Sequence, residues 1–140
     1  MSLRADINEA IKGQENLIFD FVSPHRFEDI LDQVAERFLK RGKRNLNQIW
    51  LWNEFRNETK SIQSADVILE LTSRLEPQDS YWFIASDENG KHWVAASNGS
   101  SIITVLIEMY AFEYYILDRK MTWILCENHH GMLIEAKSVI

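Results

Sequence analysis

The stretch of this chain best equipped for chemistry is "CENHH", running from Cys126 through Glu127 and Asn128 to His129 and His130. It sets the only cysteine beside two of the four histidines. Thiolate sulfur and imidazole nitrogen are zinc ligands, and a zinc ion takes about four of them, or three and a water. The same residue types suit nucleophilic catalysis, in which a neighbouring imidazole takes the thiol proton and the thiolate attacks. Both chemistries need the groups to converge. "MTWILCEN" reads as a strand, on which successive side chains take opposite faces. Thr122, Ile124, Cys126 and Asn128 then share one face, and Met121, Trp123, Leu125 and Glu127 the other. Continued extension would point His129 and His130 apart. Only a turn at His129-His130-Gly131, which glycine permits, would bring the thiol and both rings together. A metal would still need a ligand from His25, His92 or Asp118, and no C-x-x-C or H-E-x-x-H spacing supports one. Cys126 follows three apolar residues, where a free cysteine behaves as a small hydrophobe. A polar strand end makes fewer demands than either site, so no metal and no cofactor is expected.

Other chemistry is thinner. There is no glycine-rich phosphate loop and no G-x-S-x-G elbow. Glu113 and Glu127, on neighbouring strands, form a candidate carboxylate pair. Trp50, Trp52, Tyr81, Trp82, Trp93, Tyr114, Tyr115 and Trp123 are many aromatics for this length. Such residues can stack bases or line a pocket, but more often they build a core. Trp50 and Trp52, together with His129 and His130, are the binding candidates.

The elements that would position these groups follow from periodicity. "SPHRFEDILDQVAERFLKRG" predicts a helix: Ser23 caps it and Pro24 fits its first position. Phe27, Ile30, Leu31, Val34, Phe38 and Leu39 form one apolar stripe, and Gly42 permits the left-handed end. "ADINEAIKG" predicts a shorter helix closed by Gly13, and "LIFDFV" a short strand. "NQIWLWNEF" reads as a strand buried on both faces, and "RNETKSIQS" as a polar connection. "ADVILELTSRL" predicts a helix ending before Pro77. "YWFIAS" and "HWVAAS" flank Asn89-Gly90, the best hairpin signal in the chain, because both residues tolerate positive φ. "NGSSIITVLIEMYA", with cap candidates Ser97 and Asn98, predicts a helix covered on most faces. "FEYYILDRKMTWILCEN" is two strands joined at Asp118-Arg119-Lys120, and "MLIEA" adds another. The expected fold is α+β: an antiparallel sheet of two hairpins plus the Trp-rich strand, with helices packed on one face.

At 140 residues the chain is expected to form one α+β domain, with a helical part over 1–44 and a mixed part carrying the sheet over 45–140. Hydrophobic residues make up 46% and charged residues 26%, an ordinary globular balance. No apolar run approaches the ~18 residues that cross a bilayer, and the start lacks a secretory signal. One cysteine suits a reducing compartment, so a cytoplasmic protein with no membrane contact is expected. Residues 1–44 hold eight Lys/Arg and eight Asp/Glu, while residues 45–140 hold seven and thirteen, which places the whole net charge of −6 in the second part. Phosphate-backbone binding needs clustered positive charge, so nucleic acid is not an expected partner. The exception, Arg37, Lys40, Arg41, Lys43 and Arg44, suits the negative end of a helix.

"IWLWNEF", "YWFIASDENGKHWVAAS" and "FEYYILDRKMTWILCENHHGMLI" resemble an uncharacterised family of small bacterial cytoplasmic proteins over about residues 49–135. The resemblance implies no catalytic residues. It implies a setting, since some such proteins resemble the immunity partners of secreted bacterial toxins. The expected function is therefore a non-enzymatic binding protein of immunity type, acting by protein–protein contact on a basic, toxin-like partner. The rival is a metal- or cysteine-dependent enzyme centred on Cys126, Glu127, His129 and His130. A third is a small-ligand module with an aromatic pocket, which exposure of Trp50, Trp52, Trp82 and Trp93 would mark. Oligomeric state is not legible.

Overall fold

A computed structural model describes residues 2–42, 54–56, 59–63, 65–128 and 131–138. In chain order the elements are α1 (Leu3–Ile11), β1 (Phe19–Phe21), α2 (Pro24–Phe38), β2 (Thr59–Ile62), α3 (Val67–Arg74), β3 (Ser80–Ser86), β4 (His92–Asn98), α4 (Gly99–Glu108), β5 (Glu113–Asp118), β6 (Trp123–Glu127) and β7 (Leu133–Lys137). The strands form one sheet in the order β1-β4-β3-β5-β6-β7-β2, and every neighbouring pair is antiparallel. The α+β class with an antiparallel sheet is as expected. Among the described residues no helix is long and apolar enough to cross a membrane.

The expected placement of helices on one face is corrected. Alternate residues of the central strands feed two separate cores. Trp82, Ile84, Val94, Tyr115, Leu117, Ile124 and Cys126 pack with Ile30, Val34 and Phe38 of α2. Tyr81, Phe83, Ala95, Tyr114, Ile116 and Leu125 pack with residues of α1, α3 and α4. The reason lies in the strand sequences. "YWFIAS" in β3 is buried from Tyr81 to Ser86 without alternation, and a strand buried on both sides needs cover on both.

Local chemistry explains most boundaries. Ser2 Oγ accepts from the Ala5 N–H at 3.1 Å and caps α1. Asn98 Oδ1 accepts from the Ser101 N–H at 2.9 Å, so α4 starts directly where β4 stops. The stripe from Phe27 to Leu39 faces the core as expected. The helix, however, ends at Phe38 rather than at Gly42, because Leu39 turns extended and bridges Phe55. Arg56 donates from Nε and Nη2 to the Leu39 carbonyl at 3.1 and 2.9 Å, which ties this crossing down.

Two further expectations change. "RNETKSIQS" is no mere connection: it contains β2, the edge strand beside β7. Its side chains are mostly exposed, so backbone pairing holds it and no apolar alternation announces it. At the β3–β4 turn only Gly90 takes positive φ, while Asp87 Oδ1 accepts from the Asn89 and Lys91 N–H groups. Helix α4 is covered on most faces as expected, by α1, α3 and the sheet, and leaves Ile107 61% exposed. The Trp-rich stretch, with Trp50 and Trp52, lies outside the described residues apart from Glu54 and Phe55.

Candidate functional site

Strand β6 carries Cys126 as the alternation predicts: Ile124 and Cys126 enter one core, Trp123 and Leu125 the other. Extension stops there. The chain reverses between Glu127 and Leu133, with Asn128 bracketing the turn. The Asn128 carbonyl accepts from the Gly131 N–H at 3.0 Å, and its side-chain oxygen from the Met132 N–H at 3.1 Å. His129 and His130 lie outside the described residues. Cys126 is fully buried between Tyr115 of β5 and Ile134 of β7. Burial first, then the Glu113 charge, push its thiol well above the ordinary range; a Tyr115 hydrogen bond pulls the other way and Glu127 adds a smaller push. These surroundings hold the sulfur protonated and away from solvent, the reverse of an activated nucleophile.

Glu113 and Glu127 do not share a face, which corrects the expected carboxylate pair. Glu127 stands opposite Tyr114, whereas Glu113 lies on the Tyr115 side of the sheet. Each is held by a tyrosine: Tyr114 donates to Glu127 Oε1 at 2.7 Å, and Tyr115 to Glu113 Oε2 at 2.8 Å. Burial, and then the Glu127 charge, drive the Tyr114 phenol far above its usual range, so it stays a donor. Of the tryptophans whose exposure would mark an aromatic pocket, Trp82 is buried in one core and Trp93 packs half-buried against the other.

Ser86 and His92 belong to no recognisable motif, yet they pair across β3 and β4 with Ser86 Oγ 2.6 Å from His92 Nδ1. Ser86 also faces Glu113 on β5. The row is therefore histidine, serine, glutamate, with serine in the middle. A hydrolytic triad needs the imidazole in the middle, taking the serine proton while the acid orients it. Ser86 is also buried. The Ser86–His92 contact ties β3 to β4, and Glu113 stands opposite Ser86 on β5. The only signal for it in the sequence is the placing of Ser86 and His92 at the two ends of the turn. Among the described residues, no group of three or more His, Cys, Asp or Glu is disposed to hold a metal ion.

A cleft of about 810 Å³ at this end of the sheet can take a ligand. Its walls come from the last residues of β3 and β6, the β3–β4 turn, the first residue of β5 and the segment after α4. Every charged residue described in its lining is a carboxylate: Asp87, Glu88, Glu113 and Glu127. Tyr110, Ala111 and Phe112 form the apolar wall; Tyr110 is 58% exposed and donates to Asp6 Oδ2 at 2.7 Å. A groove of about 330 Å³ between the start of α3 and the end of α4 adjoins it, sharing Tyr110, Phe112 and Glu127 and adding Val67, Ile68, Leu106 and Met109. Aromatic and apolar walls with fixed carboxylates suit a cationic side chain on an apolar stem.

No curated protein and no solved structure gives a significant match to this chain. One family model does match, over residues 1–140, and the chain therefore belongs to the family of unknown function DUF6756.

Proposed function

We propose that this protein is a non-enzymatic binding protein of bacterial immunity type, acting by protein–protein contact. The acidic cleft receives a lysine or arginine of a basic, toxin-like partner. The observation that carries this is the cleft lining, in which four carboxylates meet an exposed tyrosine and no described lining residue is cationic. Two of those carboxylates, Glu113 and Glu127, are oriented by tyrosine hydroxyls before any partner arrives, which lowers the ordering cost of binding. The field of a chain with net charge −6 speeds encounter with a basic surface. The buried thiol and the serine-centred polar row support a binder over a catalyst.

The test uses a lysine-rich peptide and its fully acetylated counterpart, followed by amide chemical shifts of the folded protein. Shifts are expected at Glu88, Tyr110, Phe112, Glu113 and Glu127 with the charged peptide, their loss with the acetylated one, and weaker binding in Glu88→Gln/Glu113→Gln. A basic protein that co-purifies with this chain should compete with the peptide at those same amides. Shifts scattered over the surface, or equal for both peptides, would remove the proposal.

A further inference from the structure

At the opposite end of the sheet a pair of cations gathers. Arg119, in the β5–β6 turn, sets its Cζ 4.0 Å from the centre of the Trp82 ring, and Arg26, in the first turn of α2, sets its Cζ 5.8 Å from the same ring. Two cations drawn to one indole repel each other. Arg119 is held below its ordinary pKa first by partial burial and then by Arg26. Among the described residues no carboxylate forms an ion pair with either guanidinium. Asp118, next to Arg119 in sequence, has its carboxylate engaged by the Thr122 and Trp123 N–H groups and the Thr122 hydroxyl.

The pair is also held in place. Arg37 of α2 donates from Nη1 to the Lys120 and Met121 carbonyls at 3.2 and 3.5 Å, which fastens the turn carrying Arg119 to the helix carrying Arg26. Trp82 itself is only 7% exposed, and Arg119 covers it, so no ligand ring can stack there. What remains open are the guanidinium N–H donors of two exposed side chains. Forked, always-charged donors in pairs match the oxygens of a phosphoryl group better than any neutral ligand. An anion bound beside these guanidinium groups would also offset the repulsion that Arg26 exerts on Arg119.

We infer that Arg26 and Arg119, braced over Trp82, form a binding site for a phosphate group, carried either by free phosphate or by a phosphorylated side chain. The site stands apart from the acidic cleft and does not depend on the function proposed for it.

The test is a titration of the whole protein with inorganic phosphate and with a phosphoserine peptide, read by the indole N–H resonance of Trp82 and by calorimetry. Arg26→Gln and Arg119→Gln remove one charge each from exposed positions, and Lys12→Gln, next to α1, removes one charge elsewhere. Binding should weaken about tenfold in each arginine variant, vanish in the double variant, and stay unchanged in Lys12→Gln. Tighter binding of the peptide identifies a phosphorylated partner, and equal or tighter binding of inorganic phosphate identifies the free ion; either supports the site. Absence of binding to both probes overturns it, as does equal weakening in all three single variants or no change in the arginine variants.

Discussion

A thiol reagent applied to the native protein decides between a binder and a cysteine-dependent enzyme. Cys126 sits at 0% exposure on β6, with β5 and β7 hydrogen-bonded on either side and α2 over its face of the sheet. No local fraying exposes such a residue; the middle of the sheet must open first. Domains of ordinary stability open globally at a cost of about 5–15 kcal/mol, so even the lower figure leaves roughly one molecule in several thousand open. Labelling at pH 7 in native buffer should therefore run at least about 10³-fold slower than in denaturant. The raised thiol pKa sharpens the contrast, because the native sulfur stays protonated across the range in which an unfolded thiol, with its ordinary pKa of 9.0, ionises. The assay follows absorbance on addition of an aromatic disulfide, with and without guanidinium, and with Cys126→Ala as the blank. A native rate within about tenfold of the denatured rate would refute the reasoning, since it lies far outside the range that global opening allows. It would mean that the sulfur is reachable in the fold, and a catalytic role for Cys126 would return.

Further outcomes follow from the same contacts. Tyr114→Phe leaves Glu127 without its donor beside a buried ring, and should lower stability by about 1–2 kcal/mol in urea denaturation. Above pH 9 the protein should lose stability: Cys126, Tyr114 and Tyr81 have folded pKa values raised above their ordinary 9.0 and 10.0, so the unfolded chain sheds protons that the fold retains. That contribution is whole below those ordinary values and declines above them by about 1.4 kcal/mol per pH unit per group, and combining Cys126→Ala with Tyr114→Phe should flatten the alkaline limb of urea midpoints against pH. A Cβ on Gly99 would overlap the Glu76 carbonyl where α4 starts, so Gly99→Ala should cost about 1–3 kcal/mol or more, read as a lowered Tm. Asp118→Ala removes the acceptor of two backbone N–H groups in a turn where Met121 holds φ 54°, and should destabilise by about 1–2 kcal/mol while leaving peptide binding at the acidic cleft intact.

Local signals carried the element pattern because they are written into neighbouring residues. The stripe of α2, the Asn98 cap and the alternation around Cys126 each depend on a few positions in succession. Strand β2 was not legible, because an edge strand with exposed side chains needs only backbone partners, and those come from β7, far along the chain. The end of α2 at Phe38 likewise depends on Phe55, which lies beyond any local window. At the site, Cys126 was legible as a core residue and Glu127 as its opposite-facing neighbour, while Ser86 and His92 were not, since no motif joins them.

Composition and periodicity alone thus determined an α+β chain with an antiparallel sheet and an acidic second part. Only the tertiary structure decided that helices cover both faces, that four carboxylates line one cleft, and that Arg26 and Arg119 share one indole at the far end. The physical reason is range. Backbone preference and side-chain alternation act over a turn or a pleat, whereas a charged cleft arises where strand ends distant in sequence are brought side by side by the order of the sheet.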